Sequence, residues 1–188
     1  MHRLFAALRP PASIRHRLLA AMGGIAGARW QSDDQLHLTL RFIGEVDRRT
    51  AEDVAAALDT IHAEPVAIRL AGVGHFAHRG RVEALWAAMT PHDALARLHR
   101  KVDQACVRAG LVPERRAYLP HVTLARIPRS RGDDPAIGRW LAEHGSLASE
   151  PFAPARLILY ESRLGGDGAS YEPVACWPLG AGIAGPGS

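Results

Sequence analysis

The chain has 188 residues, is 47% apolar and carries a formal net charge of +4. That apolar share excludes a disordered chain, and no run of 18 or more apolar residues is present to form a membrane-spanning helix. Every basic residue except Lys101 is arginine, a bias that a GC-rich genome explains, although it also suits bidentate contacts to phosphate and favours an anionic partner weakly.

From the start of the chain, a strand is expected at 2–8; the run breaks at Arg9-Pro10-Pro11, too soon for the apolar region of a signal peptide, so a cytoplasmic location is expected. Ile14, Leu18 and Met22 then stripe a helix that Gly23-Gly24 ends. A strand comes next at about 36–43, closed by Gly44. Thr50, with Asp53 three residues later, resembles a capping box and opens a helix at about 50–62 striped by Val54, Leu58 and Ile61. Pro65 stops it, and Val66 to Leu70 alternates as a strand.

The same order then recurs. Val82 to Trp86 reads as a strand, and Leu95, Leu98, Val102 and Cys106 stripe a helix that ends at Gly110. A strand covers about 118–126 and a loop rich in Arg, Gly, Asp and Pro covers 128–135. A short helix with Ile137, Trp140 and Leu141 leads to strands near 155–161 and 171–178. The repeated order predicts one α+β domain over 1–179 with pseudo-two-fold character; 180–188 reads as a flexible tail.

Two copies of one word stand out within this order: His37-Leu38-Thr39-Leu40 and His121-Val122-Thr123-Leu124, 84 residues apart. With ten histidines and five threonines in the chain, random placement gives about 0.3 His-x-Thr matches. Residues two apart on a strand share a face. Each word therefore sets an imidazole beside a hydroxyl, with Leu38, Leu40, Val122 and Leu124 turned to the core. If the strands converge, one imidazole can take a proton from water while the other protonates a leaving oxygen. The hydroxyls can then donate to oxygens that carry charge. Such a set suits displacement at phosphorus with no metal and no cofactor. Arg41 shares the face of Thr39 if its strand stays regular. Arg126, five beyond His121, needs a bulge or a strand end to turn inward.

Other candidates read as structural. His75 and His78 lack a carboxylate or cysteine to complete a metal site. Cys106 and Cys176 have no zinc or redox spacing and read as buried, inert thiols. His2, His16, His62, His92, His99 and His144 read as solvated, and Trp30, Phe76, Trp86, Trp140 and Trp177 as core.

The words and their flanks resemble the two-histidine phosphoesterase superfamily, most closely its RNA 2′,3′-cyclic phosphodiesterases, also called 2′-5′ RNA ligases. The resemblance rests on Arg3-Leu4-Phe5-Ala6-Ala7-Leu8, His37 to Gly44, Pro120 to Arg126, Leu159 to Leu164 and Tyr171-Glu172-Pro173, over about residues 2–179. It implies a bilobal fold in which two antiparallel sheets, with helices outside, flank a central cleft. It also implies a hydrolase that opens a 2′,3′-cyclic phosphate at an RNA or nucleotide end to a 2′-phosphate. His37 would then be the proton donor to the departing 3′ oxygen and His121 the proton acceptor from water. Thr39 and Thr123 would bind non-bridging oxygens, and Arg126 would contact the phosphate. Leu119 departs from the pattern, where an arginine often stands; Arg115 and Arg116 are the nearest replacements. No metal, cofactor or membrane enters this reading, and a monomer is expected. The alternatives are a 2′-5′ RNA ligase acting on tRNA half-like ends and, from another class, a non-catalytic RNA-binding module.

Overall fold

The computed structural model of the chain describes residues 1–165 and 168–180, so the expected tail lies outside the described residues beyond Gly180. Strand β1 (His2–Leu8) leads to helix α1 (Ala12–Ala20), the short β2 (Arg29–Trp30), β3 (Leu38–Val46), α2 (Arg48–Asp59) and β4 (Arg69–His78). The second half runs β5 (Arg81–Thr90), α3 (His92–Arg108), β6 (His121–Arg126), α4 (Pro135–Glu143), β7 (Arg156–Gly165) and β8 (Gly168–Pro178). Among the described residues no helix is long and apolar enough to cross a membrane.

The expected element order holds, with local corrections. Gly44 does not close β3: it sits within the strand opposite Leu4, at φ 89°, where the pairing with β1 shifts register. Helix α2 starts two residues early because Asp47, not Thr50, is its cap; the Asp47 carboxylate accepts from the Thr50 amide at 2.8 Å. The strand expected at 66–70 begins at Arg69 and runs on to His78.

The strands pair antiparallel in the order β4-β5-β6-β3-β1-β7-β8, with β2 added beside β6. The expected two sheets are thus linked into one hydrogen-bonded path. Its waist is a single pairing between β3 and β6, Leu38 with Val122. These are the residues immediately after the two word histidines. The halves also exchange strands: β4, which ends the first half, pairs with β5, and β7 pairs with β1.

The core arises from the patterning. Leu38, Leu40, Val122 and Leu124 are at most 2% exposed, and they join Leu18, Val54, Leu58, Leu95, Leu98 and Val102 of the helices in one apolar cluster. Each such side chain contributes about 1.5–3 kcal/mol, so the buried face of each word is held rigidly. Cys106 is buried in this cluster, where desolvation pushes its thiol up to about 11. Cys176 is exposed, contrary to expectation, because β8 is the last strand of the path and has a neighbour on one side only.

Candidate active site

The buried faces of β3 and β6 leave His37, Thr39, His121 and Thr123 on the opposite side, each half-buried. Both imidazoles are held alike. His37 Nδ1 lies 2.7 Å from the Gln35 carbonyl oxygen, and His121 Nδ1 lies 2.7 Å from the Leu119 carbonyl oxygen. A carbonyl can only accept, so each Nδ1 carries the ring proton and donates it, which leaves Nε2 free for chemistry.

Both words also contain a bulge at the same place. Along β1, Ala7 faces Thr39 but Ala6 faces Arg41, so Leu40 is the extra residue. Along β5, Trp86 faces Thr123 but Leu85 faces Ala125, so Leu124 is the extra residue. One extra residue flips the facing of every later residue in its strand. Arg126 is thereby brought to the face of His121 and Thr123, as the inward turn required. By the same shift Arg41 leaves the face of Thr39. It is 9% exposed, and its charge is committed: it forms ion pairs with Asp103 at 2.8 Å and Glu114 at 3.2 Å, and a terminal nitrogen donates to the Val112 carbonyl at 2.6 Å. Phe42, not Arg41, is the first-half counterpart of Arg126.

The two imidazoles share one electrostatic environment. Burial, reinforced by the positive charge of His121 and Arg126 and opposed by the Gln35 carbonyl, pushes His37 down to about 4. Burial, with Arg126, also lowers His121 below the ordinary histidine value. Arg126 therefore acts on both rings, whose strands pair at Leu38 and Val122.

Their surroundings differ. His37 packs against Phe5 at 4.7 Å and edge-on to Tyr171 at 5.0 Å, whereas His121 meets Phe76 edge-on at 4.9 Å and Trp86 at 6.0 Å. Gly74 makes room for that indole: a Cβ there would lie 2.3 Å from the Trp86 ring. Two cavities adjoin the pair. One, of about 410 Å³, is lined by His121, Phe76, Tyr118 and Arg116; the other, of about 680 Å³, by His37, Arg3, Arg29 and Arg126. Thr39 and Phe42 line both, and Thr123 lines neither.

Two contributors have only a faint signature in the sequence. His99 stacks on Tyr118 with ring centroids 4.3 Å apart, and its Nδ1 lies 2.6 Å from the Leu40 carbonyl oxygen. It is therefore not the solvated histidine expected. The Tyr118 hydroxyl donates to the Thr39 carbonyl at 3.3 Å. The stacked pair thus supports the backbone of the first bulge. The one available signal is that His99 lies four residues beyond Leu95, at the border of the α3 apolar stripe. Arg116, a candidate replacement for the arginine missing at Leu119, is bound to Glu114 at 2.9 Å on the cavity wall. His75 and His78 lie on β4, and among the described residues no three His, Cys, Asp or Glu side chains gather as a metal site.

A sequence profile described as the 2′-5′ RNA ligase superfamily matches residues 10–164. The chain belongs to this superfamily. Members named RNA 2′,3′-cyclic phosphodiesterase include one from Aeropyrum pernix, 33% identical over 76% of this chain and 81% of its own length. Another, from Escherichia coli, is 28% identical over 94% and 96%. A third superfamily member of that name, from Geobacillus stearothermophilus, is 30% identical over 80% of this chain, which spans 47% of that relative's length. Among solved structures of the superfamily fold, E. coli LigT complexed with NADP+ is 25% identical with a TM-score of 0.73, covering 95% of this chain and 97% of its own. LigT complexed with 3′-AMP shares the fold at a TM-score of 0.72 and 24% identity, covering 95% and 98%.

Proposed function

We propose that this superfamily member is a metal-independent RNA 2′,3′-cyclic phosphodiesterase that leaves a 2′-phosphate. The carrying observation is the pair of imidazoles with Nε2 free, both within the field of Arg126. In this reading the strand groups that meet at Leu38 and Val122 are two lobes, and the phosphate sits in a central cleft between them. Arg126 holds a non-bridging oxygen, and Thr39 and Thr123 donate to the same group. Arg41, committed to Asp103 and Glu114, is left out of the phosphate site.

The roles of the two histidines are those the superfamily resemblance implies. His121, neutral near pH 7, accepts a proton from the attacking water as the new P–O bond forms. His37, depressed mainly by burial, takes up a proton when the anionic substrate lies beside it, and gives it to the 3′ oxygen as that P–O bond breaks. Water and the 3′ oxygen are in line through phosphorus, so the ribose lies on the His37 side.

A second reading, 2′-5′ ligation, is favoured by the size of the cavity beside His121. Its 410 Å³ exceeds the roughly 30 Å³ share of one water many times over, so a nucleoside 5′-hydroxyl has room to attack instead. Incubation with an oligonucleotide ending in 2′,3′-cyclic phosphate, with and without a 5′-hydroxyl partner, tests both readings. Phosphorus NMR should show a 2′-phosphate in excess chelator. A 3′-phosphate would reverse the leaving group and the histidine roles, and activity lost to chelator and restored by zinc or manganese would indicate a metallohydrolase.

A further inference from the structure

The larger cavity holds more positive charge than one phosphate needs. Arg29 of β2 is the direct cross-strand partner of Arg126, and both are exposed. Like charges directly opposite on a sheet are destabilising, and among the described residues no carboxylate pairs with either one. Arg3 lines the same cavity. Its register partner Glu45 forms no ion pair with it, and its guanidinium lies 5.3 Å from the centre of the Phe42 ring. The arginines lining the smaller cavity are paired, Arg41 with Asp103 and Glu114 and Arg116 with Glu114. Among the described residues, unpaired guanidinium groups are thus concentrated on one side of the two histidines, the His37 side.

We infer that Arg29 and Arg3 form a second phosphate subsite, for the phosphodiester 5′ to the cyclic end of an RNA strand. The inference rests on the proposed histidine roles. They place the substrate ribose against His37, and the next phosphate leaves that ribose through its 5′ oxygen into the cavity lined by Arg29 and Arg3. With the cyclic phosphate at Arg126 and the next phosphate at Arg29, the strand offsets the like-charge repulsion that the unliganded pair carries. Planar guanidinium groups grip phosphate bidentately, and such contacts position a strand without reading its sequence. The site therefore selects a strand over a mononucleotide, with no base preference from these residues.

The experiment compares kcat/KM for a nucleoside 2′,3′-cyclic monophosphate with that for a dinucleotide ending in the same cyclic nucleotide. The dinucleotide should be preferred about tenfold or more, the usual worth of a charge-assisted phosphate contact. Arg29→Ala should lower kcat/KM for the dinucleotide at least five times more than for the mononucleotide, with Arg3→Ala acting in the same direction. The salt dependence of dinucleotide KM should become shallower by about one unit of log–log slope at most. Arg29 is exposed on a two-residue strand, and Arg29→Lys, which keeps the charge, should recover part of the preference. Equal loss on both substrates, or no preference in the unmodified protein, would overturn the subsite while leaving the phosphodiesterase reading intact. Failure to open either substrate would overturn that reading instead.

Discussion

The two His-x-Thr strands share a backbone and differ in their neighbours. Each has its histidine Nδ1 bound to the carbonyl two residues earlier, its aliphatic residues in the core and a bulge one residue past the threonine. After the bulge, however, β6 presents Arg126 to the site and β3 presents Phe42. His37 is lined by Phe5 and Tyr171 beside the arginine-rich cavity, whereas His121 meets Phe76 and Trp86 beside the smaller one. The repeated backbone supplies two equivalent proton carriers. In the proposed mechanism the unequal side chains around them accompany unequal roles.

The most severe way to break this comparison is to remove either imidazole. His37→Ala and His121→Ala should each lower turnover on a cyclic-ended oligonucleotide by about 10²–10⁴-fold, and the double variant should be far from additive because the pair acts as a unit. A fully active His121→Ala protein would end the two-histidine mechanism.

The bulge bears on stability as much as on rate. Arg41→Ala strips Asp103 of its partner and leaves Glu114 to Arg116 alone, and should reduce unfolding free energy by about 3 kcal/mol in denaturant titrations. Arg126→Ala should leave stability within ~0.5 kcal/mol and lower kcat/KM by about 10–100-fold. The reverse outcome, a stable Arg41 variant with lost phosphate affinity, would mean that the bulge does not set which arginine meets the phosphate.

The threonines sharpen the comparison further. Thr39→Ala and Thr123→Ala should each cost ~3 kcal/mol or less in kcat/KM, as for one lost oxyanion donor. Thr39, which lines both cavities, should cost the more; a larger loss at Thr123 would place the phosphate nearer β6 than the cavities suggest.

The subtlest difference is in protonation. Both histidines are depressed in the free protein, His37 to about 4. The limbs of the kcat/KM bell should therefore lie below the ordinary histidine range, and those of kcat should move to higher pH because a bound anion favours the charged ring. The limbs belong to the coupled pair. NMR titration should show one imidazole titrating near 4 and moving up on addition of inorganic phosphate. Linkage gives the matching sign for stability. The unfolded chain binds more protons than the native one between about pH 6.5 and 4, so His37 makes the fold less stable as pH falls through that window. A rate that climbs steadily to pH 9 would mean hydroxide attack with no general acid.

The sequence by itself determined the doubled word, the face on which its imidazoles and hydroxyls lie, the aliphatic residues behind them and the order of the main strands and helices. These are local matters of period and composition, settled within a few residues. Only the tertiary structure decided the rest. Whether Arg41 or Arg126 faces the histidines depends on a bulge, and a bulge is a property of the register with β1 and β5, not of the strand that carries it. The commitment of Arg41 to Asp103 and Glu114, and of Tyr118 to the Thr39 carbonyl, joins residues more than 60 apart in the chain. Likewise, the facing of Arg29 and Arg126 is set by where β2 docks on β6. A strand's own pattern reports which side is apolar; the residue standing opposite is set by the partner that the fold brings to it.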